Sequence, residues 1–251
     1  MFIKRIDCRT HLHEVNVASR LGSSKSRKDE RNHCVPILAV FSDDRDPWYQ
    51  YIVMPVLRPF NEPNFTSFGE VVDFVNQTLE VSCLTLPHVF VLTIASRVSC
   101  ICTNKMWHIG GYISRFQYGT DHDDMCSDCA AENLLMDAPN LYKDGWHPMN
   151  TWLARNGRDD LCLGRKRSEA EIKYYFIDFG LSTQFAPEQL ERLVTGELGR
   201  IQAPEQSSGL SYDPFKLDVY YLGRVYQTKI VDVRFPFLST LSQSSHLLEG
   251  V

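Results

Sequence analysis

A carboxylate, an amide five positions later and a second carboxylate at the end of a strand are written into this chain. They are Asp128-Cys129-Ala130-Ala131-Glu132-Asn133, then Tyr174-Tyr175-Phe176-Ile177 running straight into Asp178-Phe179-Gly180, then Ala203-Pro204-Glu205. These residue types, in this order, are those that phosphoryl transfer requires along one cleft edge. One carboxylate accepts or orients the attacking hydroxyl, a second holds Mg²⁺ against phosphates, and an amide oxygen completes the metal's coordination. Alone, Asp-Phe-Gly is only a strand-end turn; the order and spacing give it weight.

The flanking residues predict a mixed fold. Phe2-Ile3-Lys4-Arg5-Ile6 alternates apolar and charged residues as a half-buried strand does. His11 to Leu21 places Leu12, Val15, Ala18 and Leu21 along one side of a short helix, ended by Gly22 and followed by a charged, solvated loop. Cys34–Phe41 and Tyr49–Leu57, separated by the turn-like SDDRDP, predict an antiparallel strand pair. Ser67-Phe68-Gly69-Glu70 carries the capping-box pattern ahead of a helix whose apolar face is expected to be Phe68, Val71, Val72, Val75 and Leu79. Strands in front and a helical continuation predict α+β rather than alternating βαβ units. From Val81 to Tyr118 the periodicity weakens, and Leu141–Arg167 reads as a long polar loop.

Composition excludes some functions. With 251 residues, 43% of them hydrophobic, the chain has enough apolar material for a core, which excludes wholesale disorder. A net charge of -5 with no basic tract excludes a general phosphate-backbone binder, so no nucleic-acid partner is expected. The first residues lack an apolar signal core, and the eight cysteines are spread along the chain. Free thiols in an intracellular protein, cytoplasmic or nuclear, are the expectation. Val81–Cys102 is apolar but interrupted by Pro87, His88 and Arg97, which favours a buried segment over a membrane span. Cys126-x-x-Cys129 with Cys100, Cys102, His108 and His122 lacks the regular paired spacing of a structural zinc site, and a chance cluster is favoured. His11, His13 and His33 read as surface histidines, Ser182, Thr183 and Thr195 as polar loop residues, and Trp146-His147-Pro148 as a loop anchor.

With these motifs in place, the chain resembles the eukaryotic protein-kinase family, and closely resembles kinase-like proteins abundant in mushroom-forming fungi. The resembling stretches are FIKR, RNHCVPILAVF, IVMPVLRPF, FGEVVDF, DCAAENLLMDA, KYYFIDFGLS and DPFKLDVYYLG. By position, the resemblance implies that Lys4 contacts the α/β-phosphates of ATP and that Glu14 is its ion-pair partner. It implies that Met54, Pro55, Val56 and Leu57 form the hinge facing the adenine, with Met54 as gatekeeper. It makes Asp128 the catalytic base, Asn133 and Asp178 the Mg²⁺ ligands, and Glu205 and Asp218 structural positions. The implied fold is a two-lobed protein-kinase-like domain. A partial small lobe would cover residues 1–60, a large lobe residues 61–223 with an atypical insertion at about 81–115, and a divergent tail residues 224–251. The implied reaction is ATP- and Mg-dependent phosphoryl transfer to a protein Ser or Thr hydroxyl. A protein substrate is therefore the expected partner, while its identity and the oligomeric state are left open.

The departures count too. Only three residues precede Lys4, so the backbone N–H groups of a Gly-rich loop are expected to be missing. Cys126-Ser127-Asp128 stands where His-Arg-Asp is usual, which removes the arginine that pairs with an activation-loop phosphate. The segment after Gly223 is shorter than the helices that complete the large lobe, leaving Glu205 without its expected arginine. Val81 to about Arg115 reads as translated non-coding sequence, such as a retained intron. Two alternatives therefore stand beside catalysis. One is an impaired pseudokinase acting as a binding or scaffold module. The other is a small-molecule phosphotransferase of the aminoglycoside-kinase type, against which Ala203-Pro204-Glu205 and the D-x-Y-x-x-G from Asp218 to Gly223 speak.

Overall fold

A computed structural model describes residues 1–84, 125–126, 129–185, 189, 191–195, 203–204, 206 and 209–232, with backbone alone at 81–84, 125–126 and 184. Among these residues the chain is mixed α+β, with small antiparallel sheets and three α-helices. It divides into two compact units, Met1–Val81 with Glu132–Ser182 and Ser82–Ala131 with Thr183–Val251.

In the first unit, β1 (Phe2–Asp7), β2 (Ala39–Asp43) and β3 (Asp46–Met54) form an antiparallel sheet in the order β1-β3-β2. Lys4 lies opposite Ile52, and Phe2 opposite Met54. Alternation along the strands sends Ile6, Ile52 and Met54 into the core. The strand expected from Cys34 joins this sheet only at Ala39. Ahead of it, Val35 donates to Phe176 O at 3.0 Å and Phe176 donates to His33 O at 2.7 Å, so Cys34 bridges a different strand. Pro36 has no N–H for a ladder and separates the two pairings.

α1 (Glu14–Leu21) starts later than the spacing predicts. The Asp7 carbonyl accepts from the Thr10 and His11 amides, and this turn holds the intervening residues outside the helix. Leu12 is consequently 69% exposed, while Val15, Val17 and Ala18 form the buried face. Gly22 ends the helix with φ of −83°, an ordinary value. Its glycine is required by crowding: a β-carbon there would lie 2.6 Å from both Ile37 Cγ1 and the Val35 carbonyl oxygen.

α2 (Phe68–Leu84) opens with the expected capping box: Glu70 donates its amide to Ser67 Oγ at 3.4 Å, and its carboxylate accepts the Ser67 amide at 3.3 Å. The carboxylate also accepts from the Thr66 amide at 2.6 Å and the Thr66 hydroxyl at 2.9 Å. Burial would raise the Glu70 pKa, but these hydrogen bonds outweigh it and hold the carboxyl below its usual value. The buried face differs from expectation. Phe68 is 55% exposed and Val72 half-buried, whereas Val71, Phe74, Val75, Thr78 and Leu79 are buried. Phe74 stacks on Phe60 at 4.6 Å and meets Tyr174 edge-on at 4.9 Å.

β4 (Arg58–Pro59), β6 (Leu134–Asp137) and β7 (Lys173–Phe176) form a second antiparallel sheet in the order β4-β6-β7. The long loop between β6 and β7 is tied down by two buried arginines. Arg58 donates to Thr151 O at 2.9 Å and lies under Tyr142 and Trp146, so Trp146 does anchor its loop. Arg167 donates to Pro63 O at 2.6 Å, to Phe60 O and to the Tyr174 hydroxyl at 2.8 Å. His33 is not a surface residue. It is buried, with Nδ1 at 2.8 Å from Tyr174 O and Nε2 at 3.0 Å from the Glu80 carboxylate, because its chain segment runs under β7 and α2. Ser182 is buried as well, although it reads as a loop residue.

The second unit pairs β5 (Met125–Cys126) with β8 (Thr183–Gln184). Its helix α3 (Pro214–Tyr226) is N-capped by the Asp213 carboxylate, which accepts from the Phe215 amide at 2.9 Å. The helix passes into a π turn at Gln227–Val231. Buried Gln206 accepts from the Ala203 amide at 2.8 Å and from the Tyr221 hydroxyl at 3.1 Å. Residues 85–124 and 233–251, which hold most of the expected insertion and tail, lie outside the described residues. No helix among the described residues is long and apolar enough to cross a membrane.

Candidate functional site

The middle of β1 carries Lys4 on the same face as core residue Ile6, and Glu14 is the first residue of α1. Their elements meet so that Lys4 Nζ lies 2.5 Å from Glu14 Oε1. The same nitrogen lies 2.8 Å from Asp178 Oδ1, a residue 174 positions away in sequence. The Glu14 side chain is only 2% exposed, Lys4 is 26% exposed and Asp178 47% exposed. One ammonium therefore joins a buried carboxylate to one that faces outward.

Asp178 follows β7 after a single residue and has φ of 63°. Left-handed backbone costs an L-residue roughly 1–2 kcal/mol, and Asp is among the side chains that tolerate it best. Its Oδ1 also accepts the Gly180 amide at 3.3 Å. Gly180 O lies 3.2 Å from His11 Nδ1. A β-carbon on Gly180 would come within 3.1 Å of Glu14 Oε2 and His11 Nδ1 and 3.2 Å of Asp178 Oδ1, so only glycine fits without displacing the charged groups. Phe179 is buried beneath the turn.

Asn133 ends the short 3₁₀ turn Ala131–Asn133, and its carbonyl accepts the Ile177 amide at 2.9 Å. That bond ties the turn to the residue just before Asp178. Met54 ends β3, buried, and Pro55, Val56 and Leu57 continue half-buried to β4. Lys4, Glu14 and Asp178 are thus brought into direct contact, with Asn133 joined through backbone. Asp128 and Glu205 lie outside the described residues, and Asp218 lies on α3.

The electrostatics follow the geometry. Burial alone would lower the Lys4 pKa, but hydrogen bonds to Asp178 and Glu14 outweigh it and hold the ammonium above its ordinary value. For Asp178, burial alone would raise the pKa, and the Lys4 hydrogen bond and charge hold it below the ordinary value instead.

Asp178 Oδ2 makes no hydrogen bond among the described residues, which leaves an outward carboxylate oxygen for a cation. A carboxylate and an asparagine amide are hard oxygen donors, the kind Mg²⁺ prefers, and Mg²⁺ commonly takes one or two protein carboxylates plus phosphate oxygens. By donor type, Asp178 and Asn133 fit that pattern. No group of three His, Cys, Asp or Glu side chains suited to a metal occurs among the described residues. Of the cysteine cluster, Cys129 is buried, while Cys100, Cys102, His108 and His122 lie outside the described residues.

Sequence reasoning missed His11 and the reason for Gly180. His11, read as a surface residue, is half-buried and bonded to the Asp178–Gly180 turn. Gly180 owes its identity to the crowd of polar atoms around it rather than to φ. The signal for His11 is its place three residues ahead of Glu14, at the mouth of the same helix. No family model matches the chain, and no curated protein matches it in sequence.

Proposed function

We propose that this chain is a two-lobed, protein-kinase-like domain whose cleft binds ATP with Mg²⁺ and transfers a phosphoryl group to a protein Ser or Thr hydroxyl. The observation that carries the reading is the contact of Lys4 with both Glu14 and Asp178, formed by a strand, a helix and a strand-end turn that are distant in sequence. Three strands and one α-helix precede the Met54–Leu57 connection, as a small lobe beginning at its lysine-bearing strand requires.

In this reading the Lys4 ammonium offsets phosphate charge and Glu14 fixes its position. Asp178 and Asn133 hold Mg²⁺ by oxygen, and Met54, Pro55, Val56 and Leu57 face the adenine. Asp128 takes the hydroxyl proton. ATP supplies the transferable phosphoryl group and Mg²⁺ the charge compensation that phosphoryl transfer needs. An intracellular place follows from the need for ATP. A second reading, a binding module that keeps the cleft without turnover, is favoured by Ser127 standing where an arginine is usual.

Nucleotide-dependent melting separates these readings. ATP should raise Tm only when Mg²⁺ is present, and Asp178→Ala should abolish the magnesium-dependent part. A folded sample with no shift leaves the binding-module reading. A shift that keeps its magnesium dependence in Asp178→Ala removes Asp178 as the ligand.

A further inference from the structure

A cavity of about 390 Å³ opens in the first unit, its lining including Pro63, Thr66, Arg165, Lys166, Arg167 and Glu169. None of the residues of the Lys4 site lines it.

Arg167 is 5% exposed, and its hydrogen-bond acceptors, two carbonyls and a phenol, are all neutral. Its guanidinium also lies over the Phe65 ring at 4.3 Å. Among the described residues no carboxylate comes within ion-pair distance of it, and its buried Nε–H has no acceptor. Buried charge ordinarily has an ionic partner, so this cation is incompletely compensated. Glu70 feels its charge, but the Glu70 oxygens are taken by Thr66 and Ser67. Glu169 does not supply the partner either, since its carboxylate accepts the Lys166 amide at 3.3 Å. Arg165 and Lys166 are exposed at the same cavity. Three cations in the lining against the single Glu169 carboxylate leave a surplus of two positive charges.

We propose that this cavity binds a phosphate monoester, whose oxygens take up the charge surplus of Arg165, Lys166 and Arg167. A monoester carries roughly −1.5 to −2 charges at neutral pH and several strong acceptor oxygens, which matches the surplus. A lone carboxylate would leave half of it standing. The cavity volume accepts the phosphate with part of the carbon skeleton that bears it. The site does not depend on the phosphotransferase reading, because it shares no residue with that cleft.

The monoester can come from a phosphoprotein or from a small phosphorylated molecule. Calorimetric titration with a short phosphoserine peptide, its unphosphorylated twin and O-phosphoserine distinguishes them. Both phosphorylated probes should bind and the unphosphorylated peptide should not. Arg165→Gln combined with Lys166→Gln should weaken both by about tenfold or more, the scale for losing charge-assisted hydrogen bonds, with Tm unchanged because both side chains are exposed. Tighter binding of the peptide than of O-phosphoserine assigns the site to a phosphoprotein, and equal affinity assigns it to a small ester. Equal binding of the two peptides, or phosphate-dependent binding undiminished in the double variant, overturns the proposal.

Discussion

Lys4 serves two carboxylates that differ in what they lose without it. Glu14 is buried, so its charge depends on a partner at hydrogen-bond distance; Asp178 is nearly half exposed and can turn to water. Stranding a buried charge is among the costlier single changes in a protein. Lys4→Met should therefore lower unfolding stability by about 3 kcal/mol at neutral pH, mainly through Glu14. Chemical denaturation measures this, and adding Glu14→Gln to the variant should recover part of the loss. An unchanged midpoint in Lys4→Met would mean that water reaches Glu14. Pairing Lys4 with Glu14 is implied by the family resemblance, since a separation of 10 residues alone leaves them a strand lysine and a helix-surface acid. Bringing Asp178 to the same nitrogen cannot, because only the tertiary packing closes that distance.

At the scale of elements, local chemistry decides what is legible. The Ser67–Glu70 capping box acts over three residues and forms as its spacing predicts. The buried face of the same helix is set by neighbours rather than by its own periodicity. Phe60, Phe65 and Tyr174 converge on Phe74, and this aromatic cluster turns Phe68 out to solvent. His33 is misread for the same reason: the Tyr174 carbonyl and the Glu80 carboxylate that bury it come from β7 and α2. Gly22 is a stop signal legible in sequence, yet its cause is steric. Gly22→Ala should destabilise by about 2 kcal/mol, the scale for overpacking, because backbone atoms of Val35 and Ile37 stand where the methyl must go. Thermal denaturation would show it as a lowered Tm, and a neutral or stabilising effect would mean that the loop after α1 yields freely.

Across the whole molecule, charge pairing sets the response to acid. Hydrogen bonds from Arg9 pull the Asp7 carboxyl down to about 2, and the Arg31 side chain lowers that of Asp29. Glu70 and Asp178 are lowered too, while burial raises Asp137 in the opposite direction. A lowered native pKa means that the unfolded chain binds more protons in acid, so these groups add stability above the ordinary carboxylate value of about 4 and lose it as pH falls through their native values. Urea denaturation should show a plateau near neutrality and a decline below about pH 4. A midpoint constant down to pH 3 would contradict it. Lys4, with a raised pKa, keeps its contribution until the medium becomes more alkaline than the ordinary lysine value of about 10.4.

The separation of 174 residues between Lys4 and Asp178 also has a bearing on time. A ribosome emits roughly 5–20 residues per second, so Lys4 and Glu14 are synthesised many seconds before Asp178. Until then, the second arm of the lysine has only solvent or wrong partners. Closing the Lys4–Asp178 contact therefore waits on synthesis of the strand that delivers Asp178.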